Sequence, residues 1–415
     1  MIPDSFSGKA LLAAPLGESF WRDYQSNGKL DKAGRQKRLL DAAKLLQSVV
    51  TNAPDPITYP STSATLSLIS VLVEQNKIEE AISQLETGRL SPLKLIEEKH
   101  SAISGPRHAD RFRQRTNVTA IKTYLAAVAA DINQKESIDK AIAIITAMQN
   151  DPNFSKAQLN AIYQSVGKSL NDQFEGLQSL EKRKQFASVL ASFVGTIEKG
   201  STDTSTVLWA GNTLLKAASA LDMEGATAEA APLFKQANSA LDRAQKLGVA
   251  DPNAKLALRH LQALALRGSG EYQKSVSMFE QLLKEKAVLT WQLDAAETLQ
   301  MWGENKKNAE AYIKAMMGSG KFKDPKTKRD KNAIWGWRRL VQLTRGKEKL
   351  NEAFRTSKYN SVKSRFEYGM LKRNKKAIAS SHSELSKSLK RFPFLSAGPW
   401  GKRFQTLLAE IKKNL

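Results

Sequence analysis

Residues 263–283 read ALALRGSGEYQKSVSMFEQLL, and the pattern of this stretch decides the fold. Extended upstream, Ala254, Ala257, Leu258, Leu261, Ala265 and Gly268 recur at i, i+3, i+4, i+7, i+11 and i+14, a single stripe on an α-helix. Gly268 and Gly270 interrupt that helix, because glycine favours non-helical and left-handed backbone. A second helix follows with Tyr272, Val276, Phe279 and Leu283 on its inner face. Two helices joined by so short a turn form an antiparallel hairpin whose apolar stripes meet. One hairpin cannot bury both of its faces, so it needs neighbours on either side.

The same grammar recurs upstream. Leu66, Leu68, Ile69 and Leu72 mark a helix, Asn76-Lys77-Ile78 a turn, Ala81 and Leu85 a second helix, and Pro92 its end. Ile138, Ala141, Ile145 and Pro152 repeat the spacing of Ile78, Ala81, Leu85 and Pro92 residue for residue. An extra helix over 92–103 fills the interval, with a loop from Ser104 leading to a helix over 117–132. Before these, Asp31 to Val50 reads as a helix with Leu39, Leu40, Ala43, Leu46 and Val50 on one face. Residues 154–199 read as two longer helices meeting near Gly176. Trp209, Leu214, Ala217 and Leu221 open a further hairpin, closed by Ala230, Phe234 and Ala237, with Pro232 expected in a first helical turn, where proline is tolerated.

Downstream, helices are expected over 290–302 and 309–317. A final hairpin begins at Val362, with Tyr368-Gly369 in its first helix and Ile378, Ser381, Leu385 and Pro393 in and after its second. Trp400, Phe404, Leu407, Leu408, Ile411 and Leu415 then form an amphipathic helix suited to cap an end.

Several of these segments resemble the tetratricopeptide repeat (TPR), a 34-residue helix–turn–helix family. Gly270, Glu271 and Tyr272 sit where the family places its Gly-Asp-Tyr turn. Ser275, Phe279 and Leu282 occupy its small, aromatic and small positions, and Tyr368-Gly369 matches its Leu-Gly pair. Departures are Ser275 for Ala, the bulky Leu282, and Gln262-Ala263 for Leu-Gly. The resemblance implies an all-α, TPR-like superhelix (an α-α solenoid) with a C-terminal capping helix. It also implies a groove that holds a protein or peptide partner. The expected organisation is an irregular N-terminal arm over 1–30, a near-neutral helical-repeat solenoid over 31–317, a basic loop over 318–332, and a basic repeat with its capping helix over 333–415.

Charge is the strongest compositional signal. The 415 residues carry 64 Lys+Arg against 41 Asp+Glu, a net charge of +23. Of these, 26 basic and 7 acidic residues follow Gly320, so +19 of the balance lies in the last 95 residues. A basic region on a nearly neutral body suggests an anionic partner, nucleic acid or acidic protein; surface lysine that serves solubility is the competing explanation. Arg338, Arg339, Lys372, Arg373, Lys375 and Lys376 are the candidate polyanion-binding residues. Trp335 and Trp337 lie beside the first two, where aromatics stack on bases or fill a core.

Motifs of catalysis are not visible. The chain has no cysteine, which excludes disulfides, thiol catalysis and Cys-ligated metals. His100 and His108 are separated by Gly105-Pro106, so one helix cannot present both to a metal, and His260 reads as a packing or surface residue. Gly-Ser-Gly-Lys at 318–321 is not a phosphate-binding loop, because Ala315 stands at its first glycine and Phe322 at its magnesium-binding hydroxyl. No cofactor or metal is expected. No signal peptide is visible and no apolar run spans a bilayer, so a cytoplasmic location is the default expectation, although a trimmed secreted chain would read the same. The sequence therefore suggests a non-catalytic interaction scaffold, with polyanion binding through the basic C-terminal third as the alternative. A helical enzyme without a visible motif is a more distant one.

Overall fold

The computed structural model describes residues 9–105, 109–152, 154–324 and 327–415. The protein is all-α apart from one two-stranded antiparallel hairpin among the described residues. It divides into two compact units, Met1–Thr213 and Leu214–Leu415.

The first unit contains α1 (Lys9–Ser26), α2 (Lys32–Thr51), α3 (Tyr59–Glu74), α4 (Ile78–Glu86), α5 (Pro92–Glu97), a 3-10 turn (Ser101–Ile103), α6 (Ala109–Ala129), α7 (Gln134–Asn150), α8 (Lys156–Gly176) and α9 (Leu180–Gly200). Helix starts follow local chemistry. The Asp31 carboxylate accepts from the Gly34 amide at 2.7 Å to cap α2, and Ser155 with Gln158 forms a capping box at α8. Helix α3 is buried on nearly every side, from Ser61 through Ile69, and α1, α2, α4 and α6 pack around it. A helix with so little polar surface must be central to its unit. Helix α10 (Thr204–Met223) crosses the boundary between the units.

The second unit continues with α11 (Thr227–Leu247), α12 (Pro252–Gly268), α13 (Tyr272–Glu285), α14 (Leu289–Lys306), α15 (Ala309–Met317), β1 (Ser319–Lys323), β2 (Asp330–Ile334), α16 (Trp337–Thr344), α17 (Asn351–Lys372), α18 (Lys375–Arg391) and α19 (Gly398–Lys413). Tyr272, Val276, Phe279 and Leu283 are all buried on α13, as the sequence predicts. Phe279 joins Leu299, Ile334, Trp337 and Leu340 in the core. Ser275 fills its small position and donates to the Ala263 carbonyl at 2.6 Å. Gly268 lets α12 approach α11, because a Cβ there would lie 2.4 Å from the Phe234 ring. The buried face of α12 is Leu258, Gln262, Ala263, Ala265 and Leu266, shifted from the expected stripe. Gln262 belongs to it because its amide nitrogen donates to Asp242 and Gln245 at 2.7 and 2.8 Å, which gives the buried nitrogen its partners, while its Oε1 is buried without one.

Four expectations need correction. The N-terminal arm is helical from Lys9, with the exposed Pro15 inside the helix; residues 1–8 lie outside the described residues. The segment after Ser104 is helical from Ala109 rather than a loop to residue 117. Pro232 lies in the second turn of α11, not the first; it too is exposed.

The fourth correction concerns the expected basic loop over 318–332. It is mostly the β1–β2 hairpin, with Ser319 paired to Ile334 and Lys323 to Asp330. The fully buried Gln292 of α14 donates to the Ala333 carbonyl at 2.7 Å and accepts from the Trp335 amide at 2.6 Å. Ser319 donates to Glu280 at 2.6 Å. Side chains distant in sequence thus supply the hydrogen bonds that fix the hairpin against α13 and α14.

Candidate functional site

The six predicted basic residues are exposed, but the structure divides them. Arg338 and Arg339 lie in the first turn of α16, where Arg338 reaches the Met317 sulfur at 3.2 Å and the Arg339 guanidinium sits 5.3 Å from the centre of the Trp335 ring. Lys372, Arg373, Lys375 and Lys376 form the turn between α17 and α18. Arg373 adopts a left-handed conformation with φ of 51°, and the Asn374 side chain caps α18 through the Ala377 amide at 3.0 Å. No hydrogen bond or ion pair joins the two groups among the described residues. Trp337 is wholly buried, so it belongs to the core and not to a base-stacking surface.

One of the six, Lys376, lines a groove of about 670 Å³ between α16, α17 and α18. The exposed residues Lys376, Ser380, Ser383, Lys387 and Arg391 fall at i, i+4, i+7, i+11 and i+15 along α18, a single row on its surface. Arg345, at the end of α16, stands on the other side of the groove. Val341, Phe354 and Phe392 give it an apolar floor. Phe354 meets Phe392 edge-on at 5.2 Å, and both Arg345 and Arg391 place their guanidiniums over Phe392, at 5.4 and 5.7 Å. Attraction to the ring quadrupole orients each planar fork.

Beside this floor, Lys358 and Arg365 of α17 hold Glu384 of α18 at 2.7 and 2.5 Å. Burial pushes the Glu384 carboxyl up, but the Lys358 hydrogen bond and the charges of Lys358 and Arg365 outweigh it and hold the carboxyl below its ordinary range. Every charge in this triad has an opposite partner, although two cations on one carboxylate leave it one net positive charge. The rim cations have no such partner: Arg345, Lys376, Lys387 and Arg391 make no ion pair among the described residues, whereas Lys331, Arg355, Lys358, Lys363 and Arg365 do.

Guanidinium stacking recurs across this unit. Arg355 lies over Phe394 at 5.5 Å, and Arg403 over Tyr359 and Trp400 at 5.0 and 4.4 Å. The aromatic surfaces near the basic residues therefore already carry cations. Sequence reasoning missed Arg345, Lys387 and Arg391. The row on α18 was legible in its spacing, but Arg345 joins it only through tertiary packing.

The histidines do not converge on a centre. His100 accepts from the Ala102 amide at 3.1 Å. His260 pairs with Asp294 at 2.8 Å and stacks on Trp291 at 5.3 Å, and His108 lies outside the described residues. No group of three or more His, Asp or Glu is arranged to hold a metal among the described residues. No described helix is long and apolar enough to cross a membrane. No protein-family model matches the chain, and no curated protein matches it in sequence.

Proposed function

We propose that this chain is a non-catalytic interaction scaffold, built from TPR-like helical hairpins, that binds a protein or peptide partner. The groove between α16, α17 and α18 carries this reading: its floor is apolar, its rim holds four cations without ion pairs, and its volume of about 670 Å³ suits several side chains of a partner. The buried faces of α12 and α13 support the family likeness, since Tyr272, Ser275, Phe279 and Leu282 are buried at the positions where the resemblance requires core residues.

The test is affinity capture with the intact chain, with and without nuclease, read by mass spectrometry and followed by reconstitution from purified components. A defined protein that rebinds directly and survives nuclease treatment supports the scaffold. Partners lost on nuclease treatment would favour the second reading, a polyanion binder, for which the +19 balance after Gly320 is the motivating observation. Turnover in a broad substrate screen would overturn both.

A further inference from the structure

We propose that the groove between α16, α17 and α18 binds an extended acidic peptide segment, with one bulky apolar side chain on its floor and carboxylates on its rim. This deepens the scaffold reading and rests on it. The row from Lys376 to Arg391 spans sixteen residues of α18, about 22 Å at the helical rise. That matches roughly six or seven residues of extended peptide. Rises of about 4.5–6 Å between successive members of the row place its donors at intervals close to the roughly 6.6 Å that separates alternate side chains of such a peptide. Arg345 and Arg391, at 5.4 and 5.7 Å from the same ring, are at most about 11.1 Å apart. They are held with their forks ready for carboxylate oxygens. Ser380 and Ser383 add neutral donors between the charges.

The floor and the occupied aromatic faces select peptide over nucleic acid. A single strand gains much of its affinity by stacking bases on open aromatic rings, yet Phe392 has guanidiniums over it from two arginines and Trp335 and Trp400 each carry one. The apolar surface of Val341 and Phe392, above the buried Phe354, has nothing to gain from a phosphate chain. A leucine or phenylalanine side chain flanked by glutamates satisfies floor and rim together.

Fluorescence polarisation with the intact protein tests this. The probe is a fluorescein-labelled octapeptide with leucine at the fourth position and glutamate elsewhere. Its comparators replace leucine by glycine, replace glutamate by lysine, or are an eight-nucleotide oligothymidylate of equal backbone charge. The expected order is the leucine peptide tightest, the glycine peptide and oligothymidylate weaker, and the lysine peptide unbound, with affinity falling as salt rises.

R345E/R391E weakens the leucine peptide about tenfold or more. K387E, which disturbs no cation–ring contact, weakens it in the same direction. K372E/R373E makes the same charge change outside the groove and leaves binding within about twofold; circular dichroism confirms that all three variants stay folded. No binding of the leucine peptide at low salt would overturn the inference, as would oligothymidylate or glycine-peptide binding of equal strength. Equal losses in the groove and turn variants would reduce the effect to net charge and overturn it too. Carrying R345E/R391E through the capture experiment separates the two claims. A reconstituted partner held equally by wild type and variant sinks this groove but not the scaffold, whereas the absence of any partner sinks the scaffold.

Discussion

Replacing glycine by alanine inside a helix ordinarily stabilises it, by about 1 kcal/mol, because the unfolded chain loses freedom and the helix gains a good former. Gly167 in α8 and Gly195 in α9 are both interior to 21-residue helices of the same unit, so this propensity term is nearly the same for the two. Their surroundings differ. A Cβ at Gly195 meets nothing within 4 Å, whereas one at Gly167 falls 2.3, 2.3 and 2.5 Å from three atoms of the Trp209 indole. That indole stacks on the Tyr163 ring at 6.3 Å, so swinging it aside sacrifices a packed pair. Overpacking of this kind costs about 1–3 kcal/mol. Gly195→Ala should therefore gain up to about 1 kcal/mol, and Gly167→Ala should fall below it by about 1–3 kcal/mol. Urea denaturation followed by tryptophan fluorescence and far-UV circular dichroism measures both, and the difference between the variants cancels the shared propensity term. A Trp209→Leu background should remove most of that difference. Equal stabilisation by the two alanines would refute the close approach of the Trp209 indole to Gly167.

Phe279→Ala should destabilise by about 3–5 kcal/mol, since the ring is fully buried against α14 and α16; a loss below about 1 kcal/mol would mean that α13 faces elsewhere. Gln292→Leu leaves the Ala333 carbonyl and Trp335 amide without their side-chain partner and should cost about 2 kcal/mol or more, seen as faster hydrogen exchange in the β1–β2 hairpin. Glu384 has a folded-state pKa below its unfolded value, so its stabilising contribution is present above the unfolded pKa and is lost as pH falls through the folded one. Glu384→Gln should flatten that acid limb and, by leaving the buried Lys358 unpaired, cost about 3 kcal/mol at neutral pH. Circular dichroism of the whole chain should show a helix-dominated spectrum; a substantial sheet signal would contradict the fold.

Periodicity alone carried most of the architecture. Burial in a helix depends on residues three and four apart, so stripes such as Tyr272, Val276, Phe279 and Leu283 declare themselves locally. The paired helices either side of Gly176 and the closing helix at Gly398 were legible for the same reason. The β1–β2 hairpin was not, because SGKFK and DKNAI have little alternation, and their place depends on Gln292 and Glu280 from other helices. Helix α1 was hidden by Pro15 and is tied down by Glu18, which accepts from Ser63 at 2.9 Å across 45 residues. The charge imbalance was plain in the composition, and Lys376, one of the candidate polyanion-binding residues, is exposed. Which cations share a surface was decided by packing: α18 sets Lys376, Lys387 and Arg391 in a row by its own pitch, but Arg345 comes opposite only because Phe392 folds back between them. Spacing along a chain fixes which residues share a helix face, and only the contacts between helices fix which faces meet.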